Sequence, residues 1–397
     1  MLIDSGFSLL AAIVDIFLAG LTFGGVVYML LALLGARQFV RDLRRDGAEP
    51  GSAADVTILK PVKGVDARMY AGFCSHCRQE YPGRYELLFG VTTLDDPAVS
   101  EVERLRDEFP DVAIRLVECP ERLGTSGKVS NLVQMLREAK YEHVVINDSD
   151  IEVSPRYLQN VMRGFGDPKV GLVTAPYIGA TAARGPDLTV WAKLEALGIS
   201  TDFMAGVLTA RRLESGMHYG LGSTLATTKT ALAAIGGLEP LANALADDYE
   251  MGRRISRAGY KVELCGEVVR TTVPAYRFRG FWDHQIRWAR TVRDARRWGY
   301  LGLGVTYCLP WAMLTVIASG FALWSFTLLS LVLLARVTVA LTVGVGVLRD
   351  EQVLRDLWLL PLRDCFGLLI WLWSFAGDTV VWRGEEFRLK DGRIARI

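Results

Sequence analysis

Charge is what this chain has least of for its size. Only 22% of its 397 residues are Asp, Glu, Lys or Arg, while 51% are hydrophobic, and mean hydropathy is +0.23. That is too apolar for an ordinary soluble enzyme. The signs nearly cancel, and a net charge of +1 argues against a nucleic-acid partner. Cysteine is also sparse: six residues form no disulfide framework, and a cytoplasmic domain would keep them reduced. Cys74-Ser75-His76-Cys77 has no second Cys or His pair at zinc spacing, so it reads as a helix with two half-buried thiols. No basic residue precedes the first apolar block, which favours an uncleaved anchor over a cleaved secretory signal.

What is present begins with long apolar runs. Residues 7–34 carry one charge, Asp15, and are long enough to cross a bilayer. Asp15 lies about three helical turns from one end, so functional and interfacial readings both stay open. Residues 300–377 form a second apolar region of two or three segments. Arg336 interrupts its first part, and Arg363-Asp364 make its last part a poor span. Arg37, Arg41, Arg44 and Arg45 follow the first block directly, which places the N-terminus outside and the globular part in the cytoplasm. Residues 378–397 read as a basic tail; its arginines favour the cytoplasm, whereas three crossings would put it outside.

Between the apolar regions, residues 55–277 alternate strands with helices. Strands are expected at 56–61, 85–91, 114–117, 144–147 and 170–178, with helices at 69–79, 98–108 and from Gly127 onward. This implies a parallel α/β sheet binding its ligand outside the strand C-termini. Lys60, Asp95, Asp96 and Asp148 all fall at that edge, as a nucleotide site requires. Gly124-Thr125-Ser126-Gly127-Lys128 lacks phosphate-loop spacing, which excludes an ATPase of that type. Lys128 at a helix N-terminus can still meet a diphosphate. The segment 188–208 fits either a lipid contact or a buried helix.

Three motifs carry the chemistry. Asp148-Ser149-Asp150 follows the apolar Val144-Val145-Ile146, and two carboxylates so spaced can share a hard divalent cation with open positions for phosphate oxygens. Asp247-Asp248-Tyr249 supplies further carboxylates. His284-Gln285-Ile286-Arg287-Trp288 lies in an amphipathic stretch, 278–299, that reads as an interfacial helix presenting one functional face.

With these residues in place, the chain resembles the ceramide glucosyltransferase-like enzymes, glycosyltransferase family 21 within the larger family 2-like group. The resemblance runs over nearly the whole chain. It rests on Lys60-Pro61, Asp95-Asp96-Pro97, Lys128 with Asn131-Leu132, Asp148-Ser149, Asp248-Tyr249 and Arg287-Trp288, all in family order. It implies a GT-A α/β fold flanked by transmembrane helices, a UDP-sugar donor, Mg2+ or Mn2+, and inverting transfer to a lipid hydroxyl. Ceramide and UDP-glucose are the family default. His284 stands where Gln or Arg is usual, as in the bacterial branch acting on hopanoids, so hopanoid and diacylglycerol acceptors stay open. That branch would place the protein in a bacterial inner membrane.

Carried over, Asp95 and Asp96 would bind the uridine end, with Lys60 and Asn131 beside the donor and Lys128 near its diphosphate. Asp148 and Asp150 would hold the metal. Asp248 would be the base, with Asp247 its competitor, while Arg287 would pair with phosphate and Trp288 form a platform, His284 beside them. A processive polysaccharide synthase shares the motifs but needs more membrane helices, and a nucleotide-sugar sensor would need no base.

Overall fold

The computed structural model describes residues 2–46, 53–182, 187–382, 385–390 and 393–396. Its strands are β1 (Val56–Pro61), β2 (Tyr85–Val91), β3 (Ala113–Glu118), β4 (His143–Ile146), β5 (Val170–Thr174), β6 (Tyr177–Thr181), β7 (Leu225–Thr228), β8 (Lys261–Leu264), β9 (Val269–Val273), β10 (Thr379–Trp382), β11 (Glu385–Lys390) and β12 (Arg393–Arg396). The α-helices before the acidic second motif are α1 (Leu2–Asp46), α2 (Met69–Cys77), α3 (Ala98–Glu108), α4 (Gly127–Glu138), α5 (Tyr157–Met162), α6 (Val190–Gly198), α7 (Met204–Leu213) and α8 (Lys229–Ala234). After them come α9 (Asp247–Arg257), α10 (Phe278–Ala295), α11 (Arg297–Thr306), α12 (Cys308–Ala318), α13 (Leu323–Ala340), α14 (Glu351–Asp356) and α15 (Leu360–Ser374).

Seven strands make the main sheet in the order β3-β2-β1-β4-β7-β5-β8. Neighbours are parallel except at β7, which runs antiparallel to both β4 and β5. Successive side chains of the central strands enter different cores. Ile58, Leu87, Phe89 and Val145 pack on one face, and Leu59, Leu88, Val144 and Ile146 on the other. An apolar strand without polar alternation therefore means two covered faces, each side chain stabilising the fold by about 1.5–3 kcal/mol. The strand expected at 170–178 is two strands. Pro176 has no N–H for the main ladder; its carbonyl instead accepts from Val269 N (3.0 Å), and β6 leaves to pair with β9.

Helix α1 lies against the globular part. A Cβ at Gly35 would sit 2.6 Å from the Leu208 carbonyl oxygen of α7, and one at Gly25 2.5 Å from Cys308 Cβ of α12. Small residues let these backbones approach where a larger side chain would hold them apart. Ala32, Ala36 and Phe39 continue the same face into the core shared with Met204, Ala205 and Leu208. The 188–208 segment is thus the buried helix of its two readings.

Three helical stretches, Ile13–Arg45, Leu323–Val347 and Glu351–Ser374, are long and apolar enough to cross a membrane. The pair α11 and α12, bent by 53°, would make a fourth if it is one broken span. The charges that interrupt the apolar runs meet each other. Arg336 on α13 donates to Asp364 on α15 (Nε–Oδ2 2.9 Å) and to Asp202, and Arg363 lies 3.2 Å from the other Asp202 oxygen. Asp202 belongs to a π-helical turn, Ile199–Phe203, between α6 and α7. The basic terminal stretch contains an antiparallel meander, β10-β11-β12, whose Val380, Phe387 and Leu389 pack on Leu245.

Removing Arg336 strips the buried Asp364 of its hydrogen-bonded counter-charge and leaves Asp202 only Arg363. Arg336→Met is expected to cost about 3–5 kcal/mol, read as a lowered unfolding midpoint in detergent; an unchanged midpoint would contradict the pairing.

Candidate active site

The site begins beneath β4. Asn147 is fully buried, and its amide donates to the Ser223 carbonyl (2.7 Å), Tyr157 Oη (2.9 Å) and Thr224 Oγ1 (3.2 Å). His76 on α2 sets its Nε2 3.3 Å from Asn147 Oδ1, while its Nδ1 meets the Gly72 carbonyl (2.8 Å). Burial and the nearby Lys60 charge hold His76 well below its ordinary pKa, so the imidazole is neutral. Such a network fixes the turn after β4, because breaking one member strands the others without water. His76 is therefore a buried core histidine, and the thiols of Cys74 and Cys77 are buried too, with burial raising both.

The turn it supports is Asp148-Ser149-Asp150. Lys60, fully buried at the end of β1, donates through Nζ to the Asp148 carbonyl (3.0 Å). Burial pulls its pKa down to about 7 against the opposing charges of Asp150 and Asp148. Asp150 is tied to β9, its Oδ2 accepting from Thr271 Oγ1 (2.7 Å) and Thr272 N (2.8 Å). Burial, then the Asp148 charge, raises its pKa. Asp148 stays more open, its side chain 41% exposed.

Lys128, in the first turn of α4, joins the first two motifs. Its Nζ lies 2.7 Å from Asp148 Oδ1 and 3.4 Å from Asp247 Oδ2. Burial alone would lower this ammonium, but the Asp148 and Asp247 charges reverse that and hold it above its usual range. Ser126 caps the helix by accepting from Val129 N, which aims the first turn of α4 at the rim. Asp248 opens α9 beside Asp247, and Tyr249 N donates to its Oδ1 (2.8 Å). Burial first and the Asp247 charge second push Asp248 up to about 6, with Lys128 opposing. A Cβ on Gly222 would stand 2.9 Å from Asp248 Oδ2 and 3.7 Å from Asp148 Oδ2, so the loop before β7 packs against both carboxylates.

Six sequence-derived positions thus converge: Lys60, Lys128, Asp148, Asp150, Asp247 and Asp248. The 92–97 loop is held by hydrogen bonds of its own. Asp96 Oδ1 accepts from Gly64 N (2.8 Å) and Ala98 N (2.9 Å), tying down the start of α3, while Asp95 is exposed. Asn131 is buried and accepts from Thr92 Oγ1 (3.3 Å), linking that loop to α4. On α10, Trp288 lies 5.1 Å from the His284 ring and 6.3 Å from Phe203, and Phe203 lies 5.4 Å from Tyr177. Tyr276, stacked on His284, is raised by burial first and then by the charge of Glu195, with Arg287 opposing. Among the described residues no three His, Cys, Asp or Glu side chains converge as a protein-only metal cage. Sequence reasoning passed over Tyr157, Thr271 and Tyr177, which carried no local signal, and gave no site role to Asn147 or His76.

The profile of Glycosyl transferase family 21 matches residues 18–395. The chain belongs to that family. Its fold is GT-A-like, an α/β domain around a mixed, mostly parallel sheet with apolar helices near the N-terminus and in the C-terminal region. Within the family's reach, Ceramide glucosyltransferase 3 of Caenorhabditis elegans is 28% identical over 250 residues, covering 62% of this chain and 52% of that protein. Ceramide glucosyltransferase 1 of the same organism is 25% identical over 287 residues, covering 72% and 58%. The chain therefore spans little more than half the length of these relatives. Among solved structures, the mannosyltransferase PcManGT from Pyrobaculum calidifontis, in complex with GDP-Man and Mn2+, is similar at 21% identity. Its TM-score is 0.46, over 90% of this chain and 97% of that one.

A methyl group at Gly222 would press on the Asp248 carboxylate, which can swing aside without unfolding the loop. Gly222→Ala should keep its melting temperature but lose up to roughly a hundredfold in turnover, the scale of a 1 Å misplacement. Undiminished turnover would detach Gly222 from the reacting groups.

Proposed function

We propose that the chain is a membrane-bound inverting glycosyltransferase moving a sugar from a nucleotide sugar, UDP-glucose first, to a lipid hydroxyl, ceramide first. Hopanoid and diacylglycerol are the alternative acceptors. One observation carries the reading: Lys128 holds Asp148 and Asp247 together at the strand ends, with Asp248 at their side. Family membership and the ceramide glucosyltransferase relatives support it.

Asp148 and Asp150 fit a hard divalent cation. Asp148 Oδ2 accepts no hydrogen bond among the described residues, and Asp148 already draws an ammonium. Two protein carboxylates leave the other positions to water and phosphate oxygens, as Mg2+ prefers. When bound, Mg2+ or Mn2+ would neutralise charge on the diphosphate. Lys128 would exchange its carboxylate partners for the same diphosphate, and Arg287 would grip it bidentately. Asp95 and Asn131 would bound the donor side.

The acceptor oxygen attacks the anomeric carbon from the face opposite UDP. Asp248 takes the hydroxyl proton as that bond forms, and the electron pair of the breaking carbon–oxygen bond leaves with the diphosphate. A carboxylate titrating at about 6 is ionised at neutral pH yet a stronger base than an ordinary aspartate. The three apolar helices would hold the protein in the bilayer, with the globular part on the cytoplasmic side by the positive charges after α1. Trp288 and the rings near it would line the acceptor side.

Lipid mass spectrometry after incubation with UDP-glucose and mixed lipids tests the assignment; a hexosylated lipid is expected, and free glucose alone would overturn it. Asp248→Asn keeps the shape but accepts no proton, so turnover should fall by roughly two to four orders of magnitude with donor affinity nearly unchanged. Because a carboxylate base works only when ionised, wild-type turnover should be lost as pH falls through about 6. A flat profile from pH 5 to 8, roughly the range where such a group titrates, would remove Asp248 as base. Arg287→Lys preserves charge but not the planar fork, so activity should collapse while membrane association persists.

A further inference from the structure

Glu195, on α6, is buried to 3% exposure, and the chemistry above leaves it unused. Its Oε2 lies 3.1 Å from His284 Nδ1 and accepts from Gln285 Nε2 at 3.4 Å, so both of its partners come from α10. An imidazole that gives its Nδ1–H to a carboxylate carries its lone pair on Nε2, and the carboxylate fixes both the tautomer and the ring plane. Among the described residues Nε2 has no hydrogen-bond partner, and the His284 side chain is 20% exposed. It is not packed away.

Aromatic rings flank this imidazole on two sides. Tyr276 stacks on it at 5.6 Å and Trp288 lies at 5.1 Å. From Trp288 the row continues through Phe203 to Tyr177. The Tyr177 phenol is raised by burial first, then by the charges of Asp248, Asp148 and Glu195. Tyr177 also begins β6, which pairs with β9, the strand whose Thr271 and Thr272 hold Asp150, so the row leads from the Glu195–His284 pair toward the acidic rim. Apolar walls with one lone-pair nitrogen suit a headgroup that carries a hydrogen-bond donor beside the hydroxyl that reacts.

We propose that Glu195 is a positioning residue for the acceptor. By holding the Nδ1–H form of His284, it presents Nε2 to an amide N–H or second O–H of the lipid headgroup, next to the hydroxyl that Asp248 deprotonates. The proposal rests on transfer to a lipid. It further selects acceptors with such a second donor over those with a lone hydroxyl.

A double-mutant cycle tests it, since Gln at position 284 has no tautomer to be fixed. Glu195→Gln should lower kcat/KM for the lipid about tenfold, the size of one lost hydrogen-bonding arrangement, with KM for UDP-glucose unchanged. On a His284→Gln background the same substitution should cost at least fivefold less, roughly the coupling of residues in one network. Equal losses in both backgrounds would make Glu195 merely structural and overturn the proposal. Nitrogen-15 spectra of histidine-labelled protein give a readout that needs no acceptor. The chain has four histidines, and His284→Gln identifies the signal that belongs to His284. Wild type should show the Nδ1–H tautomer and Glu195→Gln a mixture; an Nε2–H form in wild type would overturn the proposal. Failure of wild type to glycosylate any lipid would instead sink the acceptor reading, and the spectrum tells the two failures apart.

Discussion

Four carboxylates on one rim repel each other, and the architecture around them is arranged to tolerate that. Asp148 and Asp150 hang from the end of β4, and Asp247 and Asp248 begin α9. Two unit charges about 4 Å apart interact by roughly 4 kcal/mol at the effective dielectric of such a site. Lys128 meets one carboxylate from each pair, Lys60 presses its ammonium against the Asp148 carbonyl, and the N-terminus of α9 adds its partial positive charge. Burial first and the neighbouring carboxylate second still raise both Asp150 and Asp248. A divalent cation, as proposed above for Asp148 and Asp150, would add positive charge to this rim.

The same acidic rim is tied to the apolar helices through one buried stretch, residues 190–213. Its first part carries Glu195 beneath the aromatic row, its π-helical turn carries Asp202 into the pairing with Arg336 and Arg363, and its last part packs on α1. Phe203 is in that turn as well, between Tyr177 and Trp288. The stretch that carries Glu195 and Phe203 is thus held in place by charges that would otherwise be costly within apolar surroundings.

Much of this was legible in the sequence, for local reasons. Val56–Pro61 and Tyr85–Val91 read as strands because apolar residues fill both faces, and the Asp-x-Asp turn follows from the strand before it. The partners of those residues were not legible. Asn147 meets His76 and Thr224 across 71 and 77 positions, and Asp202 reaches Arg336 across 134. Antiparallel β7 gave no pattern distinguishing its direction, since a four-residue strand reads alike either way. The bonds of Asp96 to Gly64 N and Ala98 N were not legible either, since the resemblance implied only a role at the uridine end. The basic terminal stretch hid its strands behind arginines, with Val380, Phe387 and Leu389 packing inward among the described residues.

The most direct measurement is calorimetric titration of UDP-glucose into the purified protein with Mn2+ present or with excess chelator. Binding that requires the metal, and that disappears in Asp148→Ala, is the result this account of the rim predicts. Equal affinity in chelator would contradict it, because the carboxylates would then be meeting the diphosphate with no added positive charge between them.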